Sequence, residues 1–202
     1  MTGVILAAVL GYALGSFPTA VLVGKITRGI DIRREGSGNM GAANAARVLG
    51  LWAGIAVALA DIAKGALAVF LASQWFAEGA GLWNWMTPAQ VAGLAAVAGH
   101  NWPVYLGFRG GKGIASAGGA VLLLAPWVVV PAVLIWVGLM LLTRYVALSS
   151  VAMFLALPVL FAWRPSGLSL VVFGTALAIL VGIKHWPNLR RMMLGREKKL
   201  WR

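Results

Sequence analysis

Three polar stretches hold the residues whose types and spacing can do chemistry. The first is Gly36-Ser37-Gly38-Asn39-Met40-Gly41-Ala42-Ala43-Asn44, followed by Arg47. Glycines such as Gly38 and Gly41 let backbone N–H groups approach an anion closely. Ser37 can donate a hydrogen bond, and Arg47 can grip a phosphate bidentately. Asn39 or Asn44 is placed to cap a following helix, whose N-terminus carries positive partial charge. The bland alternative is a polar loop that turns the chain, and the density of Gly, Asn and Ser favours the anion site. Gly36, Gly38 and Gly41 also fit the dinucleotide-binding spacing, but that pattern needs a strand before it and a soluble parallel sheet. Here an apolar run precedes it.

The second stretch is Gly99-His100-Asn101-Trp102-Pro103, running on to Phe108-Arg109-Gly110-Gly111-Lys112-Gly113. It is no Walker A loop, because Leu106 stands where its first glycine belongs and Gly113 where Ser or Thr would bind magnesium. Gly110, Gly111 and Gly113 around Lys112, ahead of an apolar run, still make an anion cradle with one mobile point charge. Arg109 and Lys112 equally suit a plain anchor on the basic side of a membrane. The third stretch is Lys184-His185-Trp186-Pro187-Asn188, followed by Arg190, Arg191, Gly195, Arg196 and Glu197. His185 can serve as a base, a donor to a reacting oxygen or a ligand. A histidine that meets a helix dipole is the commoner finding for such a residue.

Asp61 and Lys64 lie three apart within an apolar run, so they share a helix face and can neutralise each other; a structural pair is the favoured reading over a substrate path. Ser149 and Ser150 follow Arg144-Tyr145, where a hydroxyl commonly bonds back to its own helix. No His stands five residues before an Asp, no Gly-x-Ser-x-Gly elbow occurs, and no cluster of His and carboxylates suggests a metal. No metal or cofactor is expected.

The elements that must position these residues are membrane helices. Of the 202 residues 61% are hydrophobic and 11% charged, against about 25% charged in a soluble domain. Mean hydropathy is +0.88. Apolar runs cover about 3–24, 50–76, 90–106, 114–143, 146–163 and 167–183. One bilayer span needs about 20 residues. A single membrane domain over residues 1–202 is expected, with 3–24 a retained span rather than a signal peptide. Cysteine is absent, which removes any Cys acyl-enzyme. Net charge is +12, and without a zinc-finger or RNA-binding signature nucleic acid is discounted as a partner.

Charge sets the topology. Lys25, Arg28, Arg33, Arg34 and Arg47 lie in the first loop and Arg109 and Lys112 in the third. Lys184, Arg190, Arg191, Arg196, Lys198, Lys199 and Arg202 crowd the tail, and the second loop, 77–89, holds Glu78 and no cation. If 114–143 crosses twice, breaking near Pro126, every cation but Lys64 and Arg164 lies inside. The expected fold is therefore all-α: a polytopic bundle of seven transmembrane helices, N-terminus periplasmic and C-terminus cytoplasmic, in the cell inner membrane.

Taken together and in order, the three stretches resemble the signature motifs of the bacterial acyl-phosphate:glycerol-3-phosphate acyltransferases. The resemblance runs along essentially the whole chain, Arg144-Tyr145-Val146 and Ser150 included. It departs from the pattern at Ala43, Lys184, Trp186 and Pro187. It implies a seven-helix membrane enzyme that moves a fatty acyl group from acyl phosphate to glycerol 3-phosphate, yielding lysophosphatidic acid and phosphate. Its partners would be those two small substrates and membrane lipid. By motif, Ser37, Asn39 and Arg47 would bind the phosphates, with Gly38, Gly41 and Asn44 shaping their loop. Lys112 with Gly110, Gly111 and Gly113 would hold phosphate charge, and His100 would lie with them. Ser150, His185 and Asn188 would line the same site, and Glu197 would hold the tail. From the residues alone, a small anion carrier or a structural membrane subunit is the competing reading.

Overall fold

The computed structural model describes residues 2–76, 85–163 and 167–200. Glu78, Arg164 and Arg202, used in the charge argument, lie outside the described residues. Everything regular within them is helical. Four stretches are long and apolar enough to cross a bilayer: Thr2–Arg28, Leu51–Trp75, Pro126–Thr143 and Leu168–Met193. Ile114–Leu124 and Val146–Ala162 are shorter apolar helices. Large apolar side chains face outward, Val9, Leu134, Leu142 and Val159 among them. Water would penalise that surface, whereas lipid tails solvate it.

The first apolar run is bent rather than straight. Helix α1 (Thr2–Gly15) and helix α2 (Thr19–Arg28) meet at Ser16–Pro18. Pro18 has no N–H to continue the ladder, and the Thr19 N–H turns back to the Phe17 carbonyl at 3.0 Å. After the first loop come the short α3 (Ala42–Leu49) and the long α4 (Leu51–Trp75), joined by Gly50 at φ +102°. Helix α5 (Pro88–Asn101) starts with a capping box in which Thr87 and Gln90 bond each other's backbone N–H. It stops before Pro103, so the expected apolar span to 106 ends in a separate turn, Val104–Leu106. The run 114–143 breaks as anticipated: α6 (Ile114–Leu124) ends at Ala125, and Pro126 opens a turn that leads into α7 (Val129–Thr143). Helices α8 (Val146–Ala162) and α9 (Leu168–Met193) complete the bundle.

Small residues bring the helices together where no hydrophobic force between them exists. A Cβ on Gly11 or Gly15 would collide with the Ala92 or Ala96 carbonyl, so α1 lies directly on α5. Gly65 and Gly119 do the same between α4 and α6, against Ser116 and Ile62. Behind these seams Phe154, Leu157, Phe161, Phe173 and Leu177 fill the space between α8, α9 and their neighbours. The two seams fix the ends of α5 and the start of α6, which bracket Lys112.

Helix α9 runs past the expected polar boundary at 184, through Pro187 to Met193. His185 is therefore a buried mid-helix residue and does not sit at a helix end. The tail then folds back. Leu200 N–H donates to the Arg144 carbonyl at 2.9 Å, and the Lys199 ammonium lies 5.7 Å from the Tyr145 ring centre.

Candidate active site

The first loop, the third loop, the α7–α8 turn and the tail all gather at one end of the bundle. Leu106 packs on the Ile32, Met40, Ala45 and Val57 cluster beneath the first loop. Across the third loop, Lys112 Nζ donates to Asn188 Oδ1 at 2.7 Å. Asn188 Nδ2 donates to Glu197 Oε1 at 2.7 Å, and Arg191 Nε donates to Glu197 Oε2 at 2.7 Å. Lys112, Asn188 and Glu197 thus form one chain of contacts, and Glu197 holds the tail as its motif implied. Burial pushes the Lys112 ammonium below its ordinary value, helped by the charges of Arg191 and Lys184 and opposed by Glu197. Burial also raises the Glu197 carboxyl, but hydrogen bonds from Asn188 and Arg191 outweigh it and leave Glu197 lower than usual.

His185 lies one helical turn before Asn188 on the same face. Its Nδ1 is 2.9 Å from the Val181 carbonyl. A carbonyl only accepts, so Nδ1 carries a proton toward it. Lys184 is drawn the other way, donating to the Asn101 carbonyl at 2.8 Å and lying 5.2 Å from the Trp102 ring centre.

In the first loop, Asn44 does not cap α3; Gly41 is the N-cap. The Asn44 amide instead staples the turn, accepting from Ser37 N–H at 2.8 Å and donating to the Ile32 and Glu35 carbonyls at 3.3 and 3.1 Å. Asn39 does not cap α3 either, and its N–H points to Ser37 Oγ at 3.4 Å. Gly38 N–H is taken by the Glu35 carbonyl at 2.9 Å. These backbone donors are therefore spent on folding the loop. What remains for an anion is the Ser37 hydroxyl, the Asn39 side chain, the open first N–H groups of α3 and Arg47. Asp31 removes Arg33 from that set. Its carboxylate accepts from the Arg33 guanidinium at 2.7 Å, and those bonds hold it down to about 2. Arg28 is likewise engaged, at 2.8 Å to the Val48 carbonyl. Arg47 and Arg109 are exposed and, among the described residues, unpaired.

Three sequence expectations shift. Gly111 N–H donates to the His100 carbonyl at 3.0 Å and is not free for phosphate. His100, expected to face substrate, is 6% exposed and lies beneath the loop, with Nδ1 3.5 Å from Asp61 Oδ1. The glycines at 110 and 111 exist because their missing Cβ atoms leave room for His100. Ser150, also expected at the phosphates, is buried and accepts from Trp136 Nε1 at 3.1 Å, whereas Ser149 bonds back to the Tyr145 carbonyl as anticipated.

Trp136 was not foreseen. It lines an apolar cavity of about 330 Å³ together with Ile114, Gly118, Met153 and Leu157. Its lining includes Ile62 of α4 and Ile114, the second residue after Lys112. No sequence signal marks it, because every lining residue also reads as an ordinary membrane helix residue.

Fold and site together define an integral membrane protein with a cluster of basic and polar side chains at one end of its helices and an apolar cavity whose lining includes Ile114. Residues 5–195 match the family model for glycerol-3-phosphate acyltransferase. The chain is 39% identical over 98% of its length to the glycerol-3-phosphate acyltransferase of Alkaliphilus metalliredigens, covering 96% of that protein. It is 40% identical to that of Symbiobacterium thermophilum, over 99% of this chain and 96% of the relative. Its fold matches the crystal structure of PlsY, an integral membrane glycerol 3-phosphate acyltransferase, in the glycerol 3-phosphate form. The TM-score is 0.86 at 32% identity, over 98% of this chain and 96% of that one. The lysophosphatidic acid form of PlsY gives the same TM-score at 31% identity, over 98% and 95%. The chain belongs to the glycerol-3-phosphate acyltransferase family and is a membrane acyltransferase.

Proposed function

We propose that this chain transfers a fatty acyl group from acyl phosphate to glycerol 3-phosphate, releasing lysophosphatidic acid and phosphate as the first acylation of phospholipid synthesis. The observation that carries the reading is that Lys112, held on neutral Asn188, stands two residues before Ile114, which lines an apolar cavity. A phosphate at Lys112 and an acyl chain in that cavity describe one amphiphilic donor. Ser37, Asn39, the start of α3 and Arg47 are the groups for a second phosphate. The relatives' shared name and the glycerol 3-phosphate form of PlsY support that acceptor.

The glycerol hydroxyl oxygen attacks the acyl carbon, and the bond from that carbon to the phosphate oxygen breaks. The proton passes to the departing phosphate. Among the described residues no carboxylate bonds to His185; its Nδ1 partner is a backbone carbonyl. At 2% exposed it packs within the bundle behind Asn188 and does not meet the hydroxyl. An acyl phosphate is already activated, so orientation and charge stabilisation suffice, with orientation alone worth up to about 7–11 kcal/mol.

Seven crossings are proposed within one membrane domain: the bent α1–α2 pair, α4, α5, α6, α7, α8 and α9. The site end faces the cytoplasm of the inner membrane, following the excess of Lys and Arg there. Purified protein in detergent is incubated with glycerol 3-phosphate and either palmitoyl phosphate or palmitoyl-CoA. Lysophosphatidic acid and inorganic phosphate in equal amounts, from palmitoyl phosphate only, are expected. Product from the thioester alone, or none from either donor, removes the reading.

A further inference from the structure

Asp61, Lys64 and His100 form a buried polar group one layer below the loop that carries Lys112. Asp61 Oδ1 accepts from Lys64 Nζ at 2.8 Å and from Thr19 Oγ1 at 3.1 Å. Lys64 Nζ also donates to the Phe17 carbonyl at the α1–α2 bend, at 3.2 Å. Asp61 is 2% exposed, so no substrate reaches it. The same Oδ1 lies 3.5 Å from His100 Nδ1. The opposite edge of the imidazole lies against Gly111, where a Cβ would land on Nε2; a Cβ on Gly110 would land on the His100 carbonyl. That carbonyl accepts the Gly111 N–H at 3.0 Å, and the next residue is Lys112.

We propose that Asp61 is a positioning residue for the phosphate grip: it fixes the His100 ring, the ring fixes Gly111, and that contact sets where Lys112 meets Asn188. Lys64 pairs the carboxylate at 2.8 Å, so that neither charge stands alone inside the helix bundle. Because the pair is neutral, it acts through packing and hydrogen bonding rather than through a field reaching the site. A backbone hydrogen bond alone pins the loop at one point. The imidazole beneath Gly111 supplies a floor, and a floor free to rotate would let Lys112 move by an ångström or so. The kinetic consequence rests on Lys112 gripping phosphate in the proposed reaction; the geometric one does not.

The test uses full-length protein with two readouts. One is kcat/KM for glycerol 3-phosphate. The other is the rate at which Lys112 is acetylated by an amine-reactive reagent, read by mass spectrometry. The double variant Asp61→Leu/Lys64→Met removes both charges, so neither is left buried and unpaired. It is expected to lose about 10–100-fold in kcat/KM, the scale of an ångström-level misplacement, and to acetylate Lys112 faster. Asp61→Asn/Lys64→Met keeps an oxygen acceptor for Thr19 and His100 and is expected to restore both. Wild-type kinetics and labelling in the Leu/Met variant would overturn the proposal, as would equal defects in the two doubles. If the Leu/Met protein does not fold, His100→Leu takes its place: faster Lys112 acetylation supports the role, and unchanged acetylation overturns it. Absence of acyl transfer in the wild type would remove the functional reading and leave the labelling arm to decide positioning.

Discussion

Lys112 meets Asn188, and not a carboxylate, across the 2.7 Å contact that ties the third loop to the last helix. The nearest acid in that chain of contacts is Glu197, one amide further on. A direct Lys–Glu pair would have to break before phosphate could bind. An amide oxygen orients the ammonium and leaves its charge unspent, which suits a residue that must hold an incoming anion.

Lys112→Ala should therefore cut acyl transfer by about 10²–10³, the scale on which one stabilising donor acts. Folding should persist, since α6 and the helix seams do not depend on this side chain. Product formation and size-exclusion behaviour of the purified variant check the two halves. Retained transfer would take Lys112 out of the site.

The pH profile follows from the burial of Lys112. Its folded value is lower than the ordinary 10.5, so the ammonium is lost at a lower pH than for a solvated lysine. The alkaline limb of kcat/KM, which reports the free enzyme, should fall below that ordinary value. Lys112→Arg stays protonated throughout and should abolish the limb while turning over more slowly. The same limb in the Arg variant would assign it to another group.

Glu197 is a stability residue of the site. Its folded value is below the ordinary 4.5, so its contribution is fully present above that value and is lost as pH falls through the lower folded one. Glu197→Gln removes charge-assisted bonds to Asn188 and Arg191, worth about 1.5–3 kcal/mol each at most. Thermal unfolding in detergent should show a lower Tm than the wild type at neutral pH. That gap should close on acidification. A pH-independent gap would point to lost packing alone.

Gly118 tests the cavity. It lines the wall and has open space where a Cβ would stand. Gly118→Phe should fill that space and shift the preferred donor toward shorter acyl phosphates, with the glycerol 3-phosphate KM little changed. An unaltered chain-length profile would place the acyl chain elsewhere.

How far these features could be read beforehand depends on range. The three loops declared themselves, because Gly, Asn and Lys are conspicuous between apolar runs. The break near Pro126 was legible from proline and charge together. The bend at Ser16–Pro18 was not anticipated, since apolar residues continue on both sides of it. Lys184 and Pro187 read as a helix end, yet α9 continues because its polar face is bonded: Lys184 to the Asn101 carbonyl, and Asn188 to Lys112 and Glu197. Asn44 looked like a cap and proved to be a staple, a choice settled by where the Ile32 and Glu35 carbonyls fall. Asp61 and Lys64 were visible as a helical pair, but the His100 contact joins separate helices that no spacing rule connects.

The claim beneath the whole account is that one pocket at one membrane face receives both phosphorylated molecules. The chain has no cysteine, so Ser37→Cys, Arg109→Cys and Lys198→Cys each give a single thiol on a clean background. All three should react with a membrane-impermeant maleimide in inside-out vesicles and remain unlabelled in right-side-out ones. Labelling of Ser37→Cys from one side and Lys198→Cys from the other would contradict it.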